Sequence, residues 1–285
     1  MMRSTLIALL LLCGGNAPAQ AKTELSSLFA PYQAMLQAHL VSSSTPEHGL
    51  VTGFDYAAAL NNANLPPWLE QQRDALAKFD PNGFDNKAEA VAFWINAYNF
   101  FMLAHILEAA QADALVEGVK DFGSFFNPYR VFRQPLFNVG GKRYSLDEME
   151  KSILLGDDYR QRGWWDTRVH FAVNCASVGC PPLRPEIYQA ERLDEQLNDN
   201  TRRSLANPRH LDSRDNTLML SRLFDWYEQD FIDQSGSVAA FLRQHVSSER
   251  MPSLNNDPRI AYIDYDWRLN RPEHFPELSN KQPGG

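Results

Sequence analysis

From Val91 to Leu103 the chain reads Val-Ala-Phe-Trp-Ile-Asn-Ala-Tyr-Asn-Phe-Phe-Met-Leu, a run that is apolar nearly all the way round a helix. A helix without a polar face has to be covered on every side. The one expected here, over about Asn86 to Ala110, therefore belongs in the middle of the protein with the rest of the chain wrapped around it. Asn96 and Asn99 interrupt the run. A buried side-chain amide is costly unless it finds partners, so each either bridges neighbouring backbone groups or serves a site, holding a histidine tautomer or polarising a carbonyl.

The segments around this helix read as a mixture. Leu25 to Leu40 has helical spacing, and Pro67 to Phe79 is a second helix with proline in its first turn. Gly49 to Tyr56 is extended. Arg133 to Val139, Gly140-Gly141 and Lys142 to Tyr144 form a hairpin, whose glycines supply the positive φ of a tight turn. Ser145 and Glu148 then make a capping box for the next helix. Arg168 to Asn174 alternates around Val169, Phe171 and Val173, the period of a strand. A helix over about Ala190 to Leu205, a strand near Leu218 to Leu220, a helical Gly236 to Val246 and an aromatic β-like run from Ile260 to Trp267 complete the chain. The expectation is an α+β fold: a helix-rich single domain around a small, mostly antiparallel sheet.

The N-terminus has the order of a signal peptide. Arg3 precedes the apolar Leu6 to Leu12, and Ala19-Gln20-Ala21 supplies the small residues a signal peptidase needs, which places cleavage after Ala21 and export to the periplasm or beyond. Cys13 follows a leucine where a lipidated cysteine normally follows a small residue, so a soluble product is expected. The apolar stretch is too short to cross a bilayer, and no other segment is read as a span. Residues 22–276 then form one globular domain and 277–285 a polar tail. Loss of Arg3 leaves a net charge of -9. Such a balance, with no basic stripe, argues against nucleic acid as a partner. No cofactor motif is present.

Glu150 is the first residue that invites chemistry. At about 100° per residue it falls inside the apolar stripe of Leu146, Met149, Ile153 and Leu154. A carboxylate there loses hydration and needs a partner, either an arginine such as Arg168 or Arg184, or a histidine that it orients. His170 is the histidine nearest in sequence. Cys175 lies where the expected strand ends, exposed yet rigidly held, and a thiol there needs only a base to become a nucleophile. Carboxylate, imidazole and thiol are the parts of a cysteine-hydrolase triad. A direct contact between His170 and Cys175 demands a sharp bend near Asn174, because five extended residues span about 16 Å.

Cys175 and Cys180 are equally suited to a local disulfide in an oxidising compartment. Zinc is disfavoured, since Cys-x4-Cys lacks a second ligand pair at the usual spacing. Asp225-Trp226-Tyr227 and Tyr265-Asp266-Trp267 read as packing, with a substrate groove as the second reading.

Together, Phe93-Trp94-Ile95-Asn96-Ala97-Tyr98-Asn99, then Tyr144-Ser145-Leu146 leading to Glu150, then His170-Phe171-Ala172 with Cys175 and Cys180-Pro181-Pro182-Leu183, and Tyr265-Asp266-Trp267-Arg268-Leu269-Asn270, resemble the domain-of-unknown-function family numbered 547. The likeness covers roughly Ala88 to Phe231, with the aromatic strand beyond it. The resemblance implies a bacterial and plant family with no settled substrate, in which a glutamate, a histidine and a cysteine recur at the positions of Glu150, His170 and Cys175. It also implies a serine at the position of Cys180 in plant members, which favours Cys175 as the working thiol. The chain order Glu, His, Cys differs from papain, so a papain-like assignment requires a permuted topology.

The expectation carried forward is an exported thiol hydrolase acting on an amide, peptide or thioester. Cys175 attacks, His170 is base and acid, Glu150 orients the imidazole, and Asn96 or Asn99 assists. The alternative is a non-catalytic envelope module with Cys175 and Cys180 joined.

Overall fold

A computed structural model describes residues 24–46, 48–112, 116–122, 129–214, 217–246 and 259–279. The expected signal peptide, 1–21, lies outside them. The chain begins with α1 (Leu25–Leu28) and α2 (Ala30–His39), followed by the antiparallel pair β1 (Leu40–Thr45) and β2 (Gly49–Phe54). Then come α3 (Tyr56–Leu60), α4 (Leu65–Lys78) and the long α5 (Lys87–Ala112). The backbone N–H of Glu89 donates to Asn86 Oδ1 at 3.0 Å, so Asn86 caps α5 at the boundary its sequence suggests.

α5 is the axis of the protein. Every residue from Ala90 to Ala104 is buried. In length and apolarity this helix would pass for a membrane span, contrary to the sequence expectation that no such segment exists, but its apolar window is almost wholly enclosed by the protein itself.

Asn96 and Asn99 are clamps. Asn96 donates to the Tyr188 carbonyl at 2.8 Å and accepts from the Tyr188 N–H at 2.8 Å. Asn99 donates to the Ala172 carbonyl at 2.9 Å and accepts from the Asn174 N–H at 2.8 Å. Each amide thereby engages both its nitrogen and its oxygen with backbone groups, the bridging role of the two expected for it: they tie two strandless stretches to the central helix.

After α6 (Arg130–Arg133), the expected hairpin is seen as β3 (Phe137–Val139) and β4 (Lys142–Tyr144). Gly140 and Gly141 turn it at φ 58° and 78°. The capping box is also present, with Ser145 N–H on Glu148 Oε2 at 2.7 Å and Glu148 N–H on Ser145 Oγ at 3.1 Å. What it caps is wider than an α-helix: Glu148–Leu154 winds as a π-helix, its last turn closed by Leu155 N–H on the Glu150 carbonyl.

α7 (Asp157–Gln161) leads to the segment read as a strand. Thr167–Phe171 is instead a 3-10 helix, begun by Asp166, whose carboxylate accepts from Arg168 N–H. The period-2 pattern misled because all of these positions except Arg168 are buried, so alternation reported no exposed face. Val169 and Ala172 pack into the main core around α5, whereas Phe171 belongs to a second cluster and stacks on Phe241 at 5.9 Å. His170 therefore sits at the seam of two apolar clusters.

The second cluster is built by α8 (Leu193–Ala206), β5 (Leu211–Arg214), β6 (Thr217–Leu220), α9 (Leu223–Trp226), α10 (Glu228–Ser235) and α11 (Val238–His245), with β7 (Arg259–Tyr262). β5 pairs with β6 antiparallel, and β6 with β7 in parallel. The fold is helix-rich α+β as expected, but among the described residues the strands form three separate small sheets, and a helix, not a sheet, occupies the centre. No papain-like arrangement emerges. Part of the expected tail is anchored too: Leu278 is buried, and Glu277 pairs with Arg209 at 2.8 Å.

Replacing Asn99 with alanine strands the Ala172 carbonyl and the Asn174 N–H in the core. At about 1–3 kcal/mol for each unmet group, Asn99→Ala is expected to lower stability by about 2–4 kcal/mol, read as a fall in the urea midpoint with an unchanged m-value.

Candidate functional site

The π-helix, the 3-10 helix, the loop 172–181, the α9–α10 junction and the stretch 265–267 enclose a cavity of about 550 Å³. Glu150, His170 and Cys175 all line it, as do Tyr98 of α5, Trp226, Tyr227, Tyr265 and Trp267. The structure thus brings the three expected residues to one place while changing their relationships.

His170 is 1 % exposed, and its Nε2 lies 2.9 Å from Oδ2 of Asp230 on α10. The imidazole donates from Nε2, which leaves Nδ1 as the acceptor nitrogen, and Nδ1 has no hydrogen-bond partner among the described residues. Arg160 holds the other oxygen of Asp230 and also Asp233. Burial pushes the Asp230 carboxyl up, but the bond from His170 and the charge of Arg160 outweigh it and hold the group below its ordinary value. Asp230, not Glu150, orients the histidine. The sequence reading missed it because α10 carries several acids. The available signal was position: Asp230 lies between Tyr227, just before α10, and Phe231 within it, the residues that meet the His170 ring.

Glu150 is buried to 7 % exposure and accepts from the Tyr227 hydroxyl at 2.8 Å through Oε1. Neither arginine considered for it is its partner: Arg168 binds Asp166 and Asp194, and Arg184 binds Glu186 and Asp199. The Tyr227 ring in turn lies over His170, with centroids 4.0 Å apart. Glu150 thus acts on the imidazole only at one remove. Burial, reinforced by the charge of Glu150, holds the Tyr227 and Tyr98 phenols far above their ordinary value.

Cys175 and Cys180 are joined by a disulfide, with Cα atoms 6.2 Å apart. Cys175 Sγ also lies 3.0 Å from Ser177 Oγ and 3.1 Å from the Tyr265 hydroxyl, and no hydrogen bond joins it to His170. The bend that the spacing demanded is real. Ala176 has φ 60°, a left-handed conformation that costs about 1–3 kcal/mol for a residue with a Cβ. Three polar groups impose it: Ala176 N–H donates to Asn174 Oδ1 at 2.8 Å, Asn270 N–H donates to the Ala176 carbonyl at 2.9 Å, and Asn174 Nδ2 donates to the Pro181 carbonyl at 2.7 Å. Gly179 lets this loop press onto the aromatic stretch, where a Cβ would meet the Tyr265 ring at 3.0 Å. Tyr265 keeps its proton: burial raises its phenol, the Ser177 hydroxyl lowers it less, and Glu150 raises it further.

The aromatics of Asp225-Trp226-Tyr227 and Tyr265-Asp266-Trp267 both pack on one another and line the cavity. Tyr265 and Trp267 pack at 4.6 Å and Trp226 meets Tyr265 at 4.9 Å along the cavity wall, while Asp225 and Asp266 form local ion pairs with Arg222 and Arg268. Among the described residues, no group of three or more His, Cys, Asp or Glu is arranged to hold a metal ion.

Residues 82–205 match the family described as protein of unknown function, DUF547, which spans α5, the π-helix, the 3-10 helix and both cysteines and carries no assigned function. No curated protein and no solved structure matches the chain.

A depressed carboxyl contributes stability that is fully present above its unfolded value and is lost as pH falls through the folded one. Asp230→Asn is accordingly expected to lower stability by about 1–3 kcal/mol at pH 7. The difference from the parent protein should shrink as pH drops below 3.8, the ordinary value of the group. Denaturant unfolding at a series of pH values reads both.

Proposed function

We propose that the cavity is the active site of an exported hydrolase acting on an amide, peptide or thioester, in which Cys175 becomes the nucleophile once its bond to Cys180 is reduced. The observation that carries the reading is the imidazole of His170. One nitrogen is anchored on a carboxylate and the other has no partner among the described residues, and the ring lines the same cavity as the sulfur. A base held in one tautomer and left without a partner is what nucleophilic catalysis requires.

Reduction by a dithiol moves two electrons and two protons onto the disulfide, freeing two thiols here and joining the sulfurs of the reductant. His170 then takes the Cys175 proton through Nδ1, and the thiolate attacks the acyl carbon. The imidazolium returns that proton to the departing amine or thiol. Water, activated by the same nitrogen, hydrolyses the thioester and restores the thiol. Asp230 stabilises the imidazolium throughout. Tyr265, which stays protonated and sits 3.1 Å from Cys175 Sγ, is the donor for the oxyanion in the place first expected of the asparagines. Glu150 keeps Tyr227 stacked on the ring.

One observation favours the other reading, a binding module: the sulfurs are joined, and Cys175 Sγ is turned to Ser177 and Tyr265. Alkylation separates the two. Iodoacetamide is expected to leave the oxidised protein unlabelled and, after dithiothreitol, to modify Cys175 rapidly at pH 7. His170→Ala should slow that labelling by about tenfold or more, the loss of thiolate fraction when a paired thiol returns to its free value. If the reduced thiol labels like a free cysteine and His170→Ala changes nothing, the hydrolase reading is lost and the module remains.

A further inference from the structure

Glu150 is a buried carboxylate with a single partner. Its Oε1 takes the Tyr227 hydroxyl, Oε2 has no hydrogen bond from any described residue, and no described cation pairs with it. The cavity does contain cations, but they are at its rim and committed. Lys151, about half exposed, sits 2.8 Å from Asp147, and Arg133, more exposed still, is 3.9 Å from the same carboxylate. Arg160 is engaged by Asp230 and Asp233. Oε2 is therefore left to the cavity that Glu150 lines, and a carboxylate oxygen placed there is matched by a ligand that brings a positively charged donor.

The walls around it are suited to that charge. Tyr98, Tyr227 and Tyr265 all experience the charge of Glu150. Trp226, 46 % exposed, extends the aromatic wall toward solvent. Aromatic faces attract cations through their quadrupole, and Trp267 already shows it, with the Lys120 ammonium 4.8 Å from its ring centroid.

We infer that the ligand of this cavity carries a protonated amine, held by Oε2 of Glu150 within the aromatic wall of Tyr98, Tyr227, Tyr265 and Trp226. The inference deepens the reading above by naming the substrate class, and it rests on the cavity being the substrate site. A hydrolase built this way takes an amide or thioester that bears an ammonium group near its scissile bond. A neutral acyl chain would leave Glu150 uncompensated, and an anionic one would be repelled by it.

The test uses three probes of one shape, benzylammonium, benzyl alcohol and benzoate, titrated into the oxidised protein and into Cys175→Ser with tryptophan fluorescence as the readout. Benzylammonium is expected to give a saturable change with a Kd about tenfold or more below that of benzyl alcohol, the size of one charge-assisted contact, and benzoate no saturable change. Glu150→Gln keeps an acceptor for Tyr227 and should abolish the preference. Equal binding of the three, tighter binding of benzoate, no saturable binding at all, or an amine preference that survives Glu150→Gln overturns the inference. Should Glu150→Gln fail to fold, the three-probe comparison in the parent protein decides alone. Amine selectivity in a protein whose reduced Cys175 proves unreactive upholds the inference while removing the hydrolase reading, so the two failures are distinguishable.

Discussion

Everything in this protein is arranged around the need to cover α5. A helix that is apolar on all faces cannot lie at a surface without exposing a large hydrophobic area, so the chain before it, α1 to α4, and the chain after it both contribute to the core that covers it. Its two asparagines convert that non-directional demand into a specific geometry. Asn96 holds the backbone at Tyr188, and Asn99 holds it at Ala172 and Asn174. The second clamp is the consequential one, because it fixes the peptide between His170 and Cys175 and so sets where both side chains emerge.

From that point the site follows by electrostatics. The 3-10 helix places His170 between two apolar clusters, where an imidazole has few neighbours that can receive its N–H. Asp230 reaches it from α10 and is itself steadied by Arg160. Across the ring, Tyr227 links the histidine to Glu150 by stacking on one side and a hydrogen bond on the other. Two carboxylates therefore flank one imidazole in unequal roles. Asp230 is charge-compensated and structural to the dyad, while Glu150 retains an oxygen without a partner among the described residues.

The legible and illegible parts of the sequence divide along a physical line. The capping box at Ser145 and Glu148, the Gly140-Gly141 turn and the start of α5 near Asn86 depend on residues within a few positions of one another, and they are found where the sequence puts them. The inward turn of Glu150 was legible as well, although the helix carrying it is wound more widely than the spacing assumed. The strand expected over Arg168 to Asn174 was not there, because a segment buried on every side has no periodic contrast to report. Asp230 is sixty residues from His170, and nothing local in an acid-rich helix such as α10 marks which carboxylate turns inward.

What the sequence determined by itself is the set of participants: a buried central helix, a core-facing glutamate, a histidine and a pair of cysteines close enough to join. These follow from hydrophobic periodicity and short-range sterics, both written in adjacent residues. Which carboxylate meets the histidine, which phenols surround the glutamate and where the sulfur points were decided only by the tertiary structure, since each depends on how segments far apart in the chain pack against α5 and compete for the same few buried polar partners.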